Sequence, residues 1–282
     1  MPLISSTIDI VLAGMIGLLI GSFLNVVIHR MPKMMERQWA AECATLQNAP
    51  ESPETGTYNL MVPRSACPSC GHSIRWYENI PILSYLALRG KCAACHAPIS
   101  TRYPLVELAS GVAFAWCVWY WGATPSAVVW CVFCSILLAL AAIDWDTTLL
   151  PDDLTLPLVW GGLLSAAMNW SGISLSTAFW GALAGYMSLW LVYWGFKLTT
   201  GKEGMGYGDF KLFAALGAWF GWQALIPIIL MASVIGAVVG IGMKLTSGLR
   251  EGGYVPFGPF LALGGFTALF VSPSRMLQWL GL

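Results

Sequence analysis

Apolar residues in this chain gather into long runs, not into the alternating or one-faced patterns of a water-soluble fold. The runs fall at 10–28, 105–121, 127–143, 154–170, 175–196, 212–222, 224–243 and 257–280. About 20 apolar residues cover the roughly 30 Å of hydrocarbon in a bilayer, so the pattern predicts about eight transmembrane helices. Two runs are irregular. The run at 212–222 is short, and the last is broken by Ser272, Pro273 and Arg275, so each is also a candidate re-entrant segment. The polar residues between the runs choose among topologies, because Lys and Arg concentrate in cytoplasmic loops. With the amino terminus outside, the first loop holds Arg30, Lys33, Arg37, Arg64, Arg75, Arg89, Lys91 and Arg102. The fifth holds Lys197 and Lys202, the seventh Lys244 and Arg250, and the second, fourth and sixth hold none. Treating 212–222 as a hairpin that does not cross would move Lys244 and Arg250 outside, so it is counted as a span. The first run has no basic region ahead of it and no small-residue cleavage site after it, and it reads as a retained anchor.

The expected organisation is therefore all-α and polytopic: a first transmembrane helix (1–30), a small cytoplasmic zinc-binding domain (31–103) and a multi-span domain (104–282). Within the middle segment, 47–63 is enriched in Pro, Ser, Glu and Asn and reads as a flexible linker. Composition agrees. Hydrophobic residues make up 57% and charged residues 10%, against roughly 25% charged in a soluble domain. These proportions put membrane lipid around the chain, and with Lys plus Arg equal to Asp plus Glu at 14 each, net charge names no nucleic-acid or acidic partner.

The zinc expectation rests on Cys67-Pro-Ser-Cys70 and Cys92-Ala-Ala-Cys95, two Cys-x-x-Cys pairs 21 residues apart. Four thiolates on two tight turns suit tetrahedral zinc, and a shell already filled by sulfur has no open position for water, so the metal is structural. Gly71 and Gly90 are expected to permit the sharp turns. Two redox dithiols are the alternative use of this spacing. His72 and His96, one residue beyond each pair, read as neighbours of the site and not as ligands. Cys131 and Cys134 repeat the spacing inside an apolar run, where packing explains them.

Charged groups in or beside spans are costly and mark candidate functional sites. Asp144, Asp146, Asp152 and Asp153 close the third span, and Gly206-Tyr207-Gly208-Asp209 opens the sixth, both on the cytoplasmic side. Two carboxyl groups in one site repel as like charges and share a proton: one polarises a carbonyl while the other activates water. Asp144 and Asp209 are the candidate pair, with Gly206 and Gly208 leaving room for a substrate backbone. Asp152 or Asp153 reads more simply as a helix N-cap, Asp146 as a solvated acid, and Asp144 could instead pair with Lys211. Asn25 with Gly14, Gly17 and Gly21 indicates close helix packing and an interhelical hydrogen bond. No His-Glu-x-x-His or Gly-x-Ser-x-Gly occurs, which removes support for metallo and serine hydrolysis. The glycines at 204–208 follow no strand, so a nucleotide loop is rejected.

Gly21-Ser22-Phe23-Leu24-Asn25-Val26-Val27-Ile28-His29-Arg30, the paired cysteine knuckles, Arg102-Tyr103-Pro104-Leu105-Val106-Glu107, the 144–153 segment and Gly206-Tyr207-Gly208-Asp209 together resemble bacterial type IV prepilin peptidases. The resemblance spans nearly the whole chain. It implies an inner-membrane enzyme that removes the basic leader of prepilins and pseudopilins at the cytoplasmic face, with Asp144 and Asp209 catalytic and Cys67, Cys70, Cys92 and Cys95 on zinc. It also implies S-adenosylmethionine-dependent methylation of the new amino terminus, for which the sequence offers no separate donor site. Residues 33–64 match no motif of the family. The competing reading is a non-enzymatic scaffold or transporter with a structural zinc module, in which the aspartates and Lys211 form an ion path.

Overall fold

A computed structural model describes residues 6–47, 56–246 and 255–279. The chain packs as two compact units, Met1–Ala127 and Val128–Leu282. No named strand occurs among the described residues, and within them each of the eight apolar runs falls mainly on helix.

In the first unit α1 (Thr7–Leu46) opens with a capping box in which Ser6 and Asp9 satisfy each other's backbone amides. It is far longer than the predicted run. Forty residues span about 60 Å, twice the thickness of hydrocarbon, and the helix passes through Pro32 into Lys33–Leu46. That extension is rich in Met, Glu, Gln, Arg and Ala, good helix formers, so the first part of the segment assigned to the cytoplasmic domain continues the first helix. Arg30 is buried on α1 and holds the incoming chain through Nη1 to the Asn59 oxygen at 2.9 Å and Nη2 to the Pro63 oxygen at 2.6 Å. The Arg37 guanidinium stacks over Tyr58, 4.2 Å from the ring centre. Of the expected linker at 47–63, residues 48–55 lie outside the described residues, and its last part is the stretch held by Arg30.

α1 packs along α3 (Arg102–Trp121). The approach depends on Gly17 and Gly21: a Cβ at Gly17 would lie 2.7 Å from the Ser110 oxygen, and one at Gly21 2.6 Å from the Glu107 Cα. Asn25 donates to the Tyr103 oxygen at 3.1 Å, the interhelical bond its position predicted. On the opposite face Ile8, Val11, Leu12, Met15, Ile16, Leu19 and Phe23 are all exposed. An apolar stripe of that length suits contact with lipid chains. Between the two helices lie the knuckles, a 3₁₀ turn (Trp76–Asn79) and α2 (Leu83–Ala87).

The second unit is built from α4 (Pro125–Thr147), α5 (Asp152–Ala167), α6 (Leu175–Thr200), α7 (Tyr207–Phe220), α8 (Trp222–Leu245), α9 (Gly258–Val271) and α10 (Pro273–Trp279). α7 is its core. Phe210, Leu212, Leu216 and Trp219 are wholly buried, and a helix apolar on every side from Leu212 to Phe220 must be enclosed by others there. Trp219 donates to the Leu158 oxygen at 2.8 Å and packs with Trp130 and Phe133 of α4, each 4.9 Å between ring centres. Gly181 and Gly185 on α6 face the α7 backbone: Cβ atoms built on Gly181 and Gly217 would each run into the other residue's carbonyl. α1, α4, α6 and α8 are long and apolar enough to cross a membrane. Fourteen residues make α7 about 21 Å long, and α9 has the same length. The final run is split at Ser272, where it was predicted to be interrupted.

Candidate active site and metal centre

Asp144 lies in the last turn of α4 and Asp209 in the first turn of α7, at 4% and 8% exposure respectively. The residues that follow Asp144 carry the chain onto the start of α7. A Cβ added at Gly208 would lie 2.6 Å from Leu150 Cβ, and Lys211 Nζ is bound by Asp152, 2.6 Å from Oδ1 and 2.8 Å from Oδ2. Two buried carboxyl groups 65 residues apart in sequence are thereby brought to the same end of the unit.

Asp152 has a use that differs from the expected N-cap. Pro151 occupies the cap of α5, and Asp152 and Asp153 are its first two residues, where negative charge suits the helix end. Lys211 is engaged by Asp152, not by Asp144 as the structural alternative required. Asp146 is exposed.

One partner of Asp144 escaped sequence reasoning. The Gly258 amide, at the start of α9, donates to Asp144 Oδ2 at 2.9 Å. A Cβ at that glycine would stand 2.6 Å from the same oxygen, so only glycine lets the helix end approach the carboxylate. Backbone amides at a helix start form an anion-binding arrangement. The Gly-Pro that opens the last apolar run was the available signal.

The two glycines before Asp209 differ. Gly206 is extended and caps α7, and the nearest atom to a Cβ there is the Gly208 nitrogen at 4.0 Å, so its surroundings are open. The space at Gly208 is taken by Leu150. The loop that leads to Gly206 is tied by Lys197, which donates to Glu203 Oε1 at 2.9 Å and to the Tyr193 hydroxyl at 3.2 Å. That bond holds the Glu203 carboxyl below its ordinary range.

The four knuckle cysteines converge. Their sulfurs all lie within 4.8 Å of one another, with Cys67 to Cys95 at 3.8 Å and Cys70 to Cys92 at 4.0 Å. Four sulfurs around a tetrahedral zinc at ~2.3 Å stand about 3.8 Å apart, so the donor set fits a metal and is too wide for disulfides. Amides of Ser69 and Cys70 pull the Cys67 thiol down to about 6. The His72 amide favours the Cys70 thiolate, yet the neighbouring thiols, led by Cys95, push that group up to about 12. Four sulfurs this close cannot all ionise without a cation among them.

Each knuckle closes with the same antiparallel bridge, Ala66 to Ser73 and Lys91 to Pro98. The residue after the second cysteine is left-handed in both: Gly71 at φ 71° and His96 at φ 59°. The turn after the second pair is thus made by His96, while Gly90, left-handed at φ 68°, turns the chain into that knuckle and leaves room for the Tyr85 hydroxyl. His72 bonds Glu78 at 3.1 Å, and Glu78, held below the usual carboxylate range by the Arg75 amide, fixes the turn that follows.

Comparison with known proteins matches residues 15–121 to the Bacterial Peptidase A24 N-terminal domain and residues 131–241 to the Type IV leader peptidase family. A protein of Pseudomonas aeruginosa named prepilin leader peptidase/N-methyltransferase is 53% identical over 257 residues, covering 90% of this chain and 88% of its own. One of the same name from Aeromonas hydrophila is 53% identical over 274 residues, covering 95% and 92%. The chain belongs to the type IV leader peptidase family. The gap between the two matched regions brackets the division of the fold at Ala127, and both aspartates fall in the second region. No solved structure matches the chain.

Proposed function

We propose that this protein removes the basic leader peptide from type IV prepilins and pseudopilins at the cytoplasmic face of the inner membrane, through Asp144 and Asp209, and N-methylates the residue exposed. The observation that carries the peptidase reading is the delivery of two buried carboxyl groups to one end of the second unit by Leu150 against Gly208 and Asp152 on Lys211. A dyad that shares one proton polarises the scissile carbonyl with its protonated member and draws a proton from water with the ionised one. The two groups titrate as a pair. Open space at Gly206 supports approach of an extended substrate backbone there, whereas Gly208 serves packing.

Zinc on Cys67, Cys70, Cys92 and Cys95 would be structural, folding a segment that has little core of its own. S-adenosylmethionine supplies the methyl group, and none of the residues described above is assigned to hold it. Asp144 and Asp209 at one end suit substrates entering laterally from lipid, with the amino terminus periplasmic and the zinc module cytoplasmic. The test is cleavage of a purified prepilin by wild type, Asp144→Asn and Asp209→Asn, with metal content measured in parallel. Both variants are expected to keep metal and lose cleavage. Wild-type cleavage by either removes that residue from the dyad.

A further inference from the structure

The segment between the two knuckles exposes more apolar surface than metal binding uses. Trp76 is 78% exposed, Leu83 66% and Leu86 64%, with Tyr77 and Ile80 beside them. They lie on the 3₁₀ turn and on α2, which pack against each other.

The depth of this face is set by a buried bond. The Ile82 amide, at the start of α2, donates to Glu107 Oε2 at 2.8 Å, and Glu107 also bonds Ser22 of α1. Glu107 is the third residue of the apolar run that begins at 105, so Ile82 is level with the first turn of that span. Ile82 sits at φ 59°, a conformation that β-branched residues avoid, so the tie holds the segment against strain. A short helix fixed at that level cannot stand clear of the membrane surface.

Charge agrees with this placement. Across 56–106 the basic residues are Arg64, Arg75, Arg89, Lys91 and Arg102, and the single acid is Glu78, already engaged by His72 and the Arg75 amide. Arg75, Arg89 and Lys91 are exposed. Even a four-thiolate zinc, net −2, leaves the module positive. Trp and Tyr beside basic residues match the chemistry of the headgroup layer.

We propose that the face formed by Trp76, Tyr77, Ile80, Leu83 and Leu86 lies in the headgroup–acyl boundary of the bilayer that α1 crosses, with Arg75, Arg89 and Lys91 on anionic lipid phosphates. The metal module is then a surface-lying element docked on lipid, not a domain suspended in water. The inference rests on α1 being a span, since Ser22, the other partner of Glu107, lies within its apolar run at 10–28, and it is independent of the peptidase chemistry.

The experiment uses the full-length protein in nanodiscs of phosphatidylethanolamine and phosphatidylglycerol. Benzoylphenylalanine replaces Leu83, Leu86 or, as a control on the exposed first knuckle, Ser69, and metal content verifies folding. After irradiation, lipid adducts at Leu83 and Leu86 are expected to exceed those at Ser69 about tenfold. Amides of 83–88 in the unsubstituted protein are expected to exchange more slowly in these discs than in phosphatidylcholine discs, a measurement that needs no variant. Adducts at Leu83 and Leu86 no higher than at Ser69 overturn the proposal. So do adducts that move from lipid to prepilin when prepilin is added, which would make the face a substrate site, or exchange that ignores lipid charge.

Discussion

If the place of α7 determines the place of Asp209, then widening the α6–α7 contact should damage catalysis without touching a carboxylate. Gly185→Ala is the chosen perturbation. Its Cβ would stand 2.6 Å from the Phe213 oxygen, where ordinary contact begins at 3.4 Å. The obstacle is backbone, so it cannot rotate aside, and the helices must part by about 0.8 Å. Overpacking of this kind costs about 1–3 kcal/mol, and a displacement near 1 Å at reacting groups costs on the order of 100-fold in rate.

The matched control lies on the same helix. Nothing comes within 4 Å of a Cβ at Gly195, so Gly195→Ala removes a flexible residue from a helix and is worth up to about 1 kcal/mol in favour of the fold. The assay is the initial rate of leader removal from a purified prepilin in detergent, with thermal unfolding on the same samples. Gly185→Ala should unfold earlier than Gly195→Ala and cleave about 100-fold more slowly per folded molecule. A Gly185→Ala enzyme that unfolds early but cleaves within about threefold of the control would show that the dyad does not depend on where α7 sits.

Asp144→Ala and Asp144→Asn should both be inactive but differ in stability. Asparagine still offers an oxygen to the Gly258 amide, whereas alanine strands it, at about 1–3 kcal/mol, and equal unfolding midpoints would refute the bond's importance. Lys211→Met should leave cleavage within several-fold of wild type, because Leu150 over Gly208 still fixes the approach to α7, and change stability by less than about 1 kcal/mol, because its partner Asp152 is half exposed; abolition of cleavage with metal retained would draw Lys211 into the site. His96→Gly should retain metal, and relief of its left-handed backbone should favour the folded knuckle by up to about 1 kcal/mol. Metal loss on titration with a chelator would instead show that the imidazole helps hold the ion.

What could be read in the sequence and what could not divides along the range of the interactions. Apolar runs report locally on burial, and Cys-x-x-Cys spacing reports locally on two tight turns, so helices and the sulfur cluster were legible. The partners of charged residues are not local. Lys211 had acids at 144, 146, 152 and 153 to choose from, and only the path of the chain after α4, which lays Leu150 over Gly208, selects Asp152. Glu107 sat inside a recognisable motif, yet its bond to Ile82 crosses 25 residues of chain that includes a knuckle.

The length of α1 was hidden for a different reason: hydropathy ends at Ile28 while helix propensity continues to Leu46, so a method that follows apolarity stops 18 residues early. The shortness of α7 was visible but ambiguous. Enclosure by neighbouring helices explains it, since a buried helix need not match the bilayer, and its short length keeps Gly208 within reach of Leu150. A longer helix in the same place would carry its first turn beyond the level of Leu150, so the irregularity that made 212–222 look like a poor span is what keeps Gly208 under Leu150 and Lys211 beside Asp152.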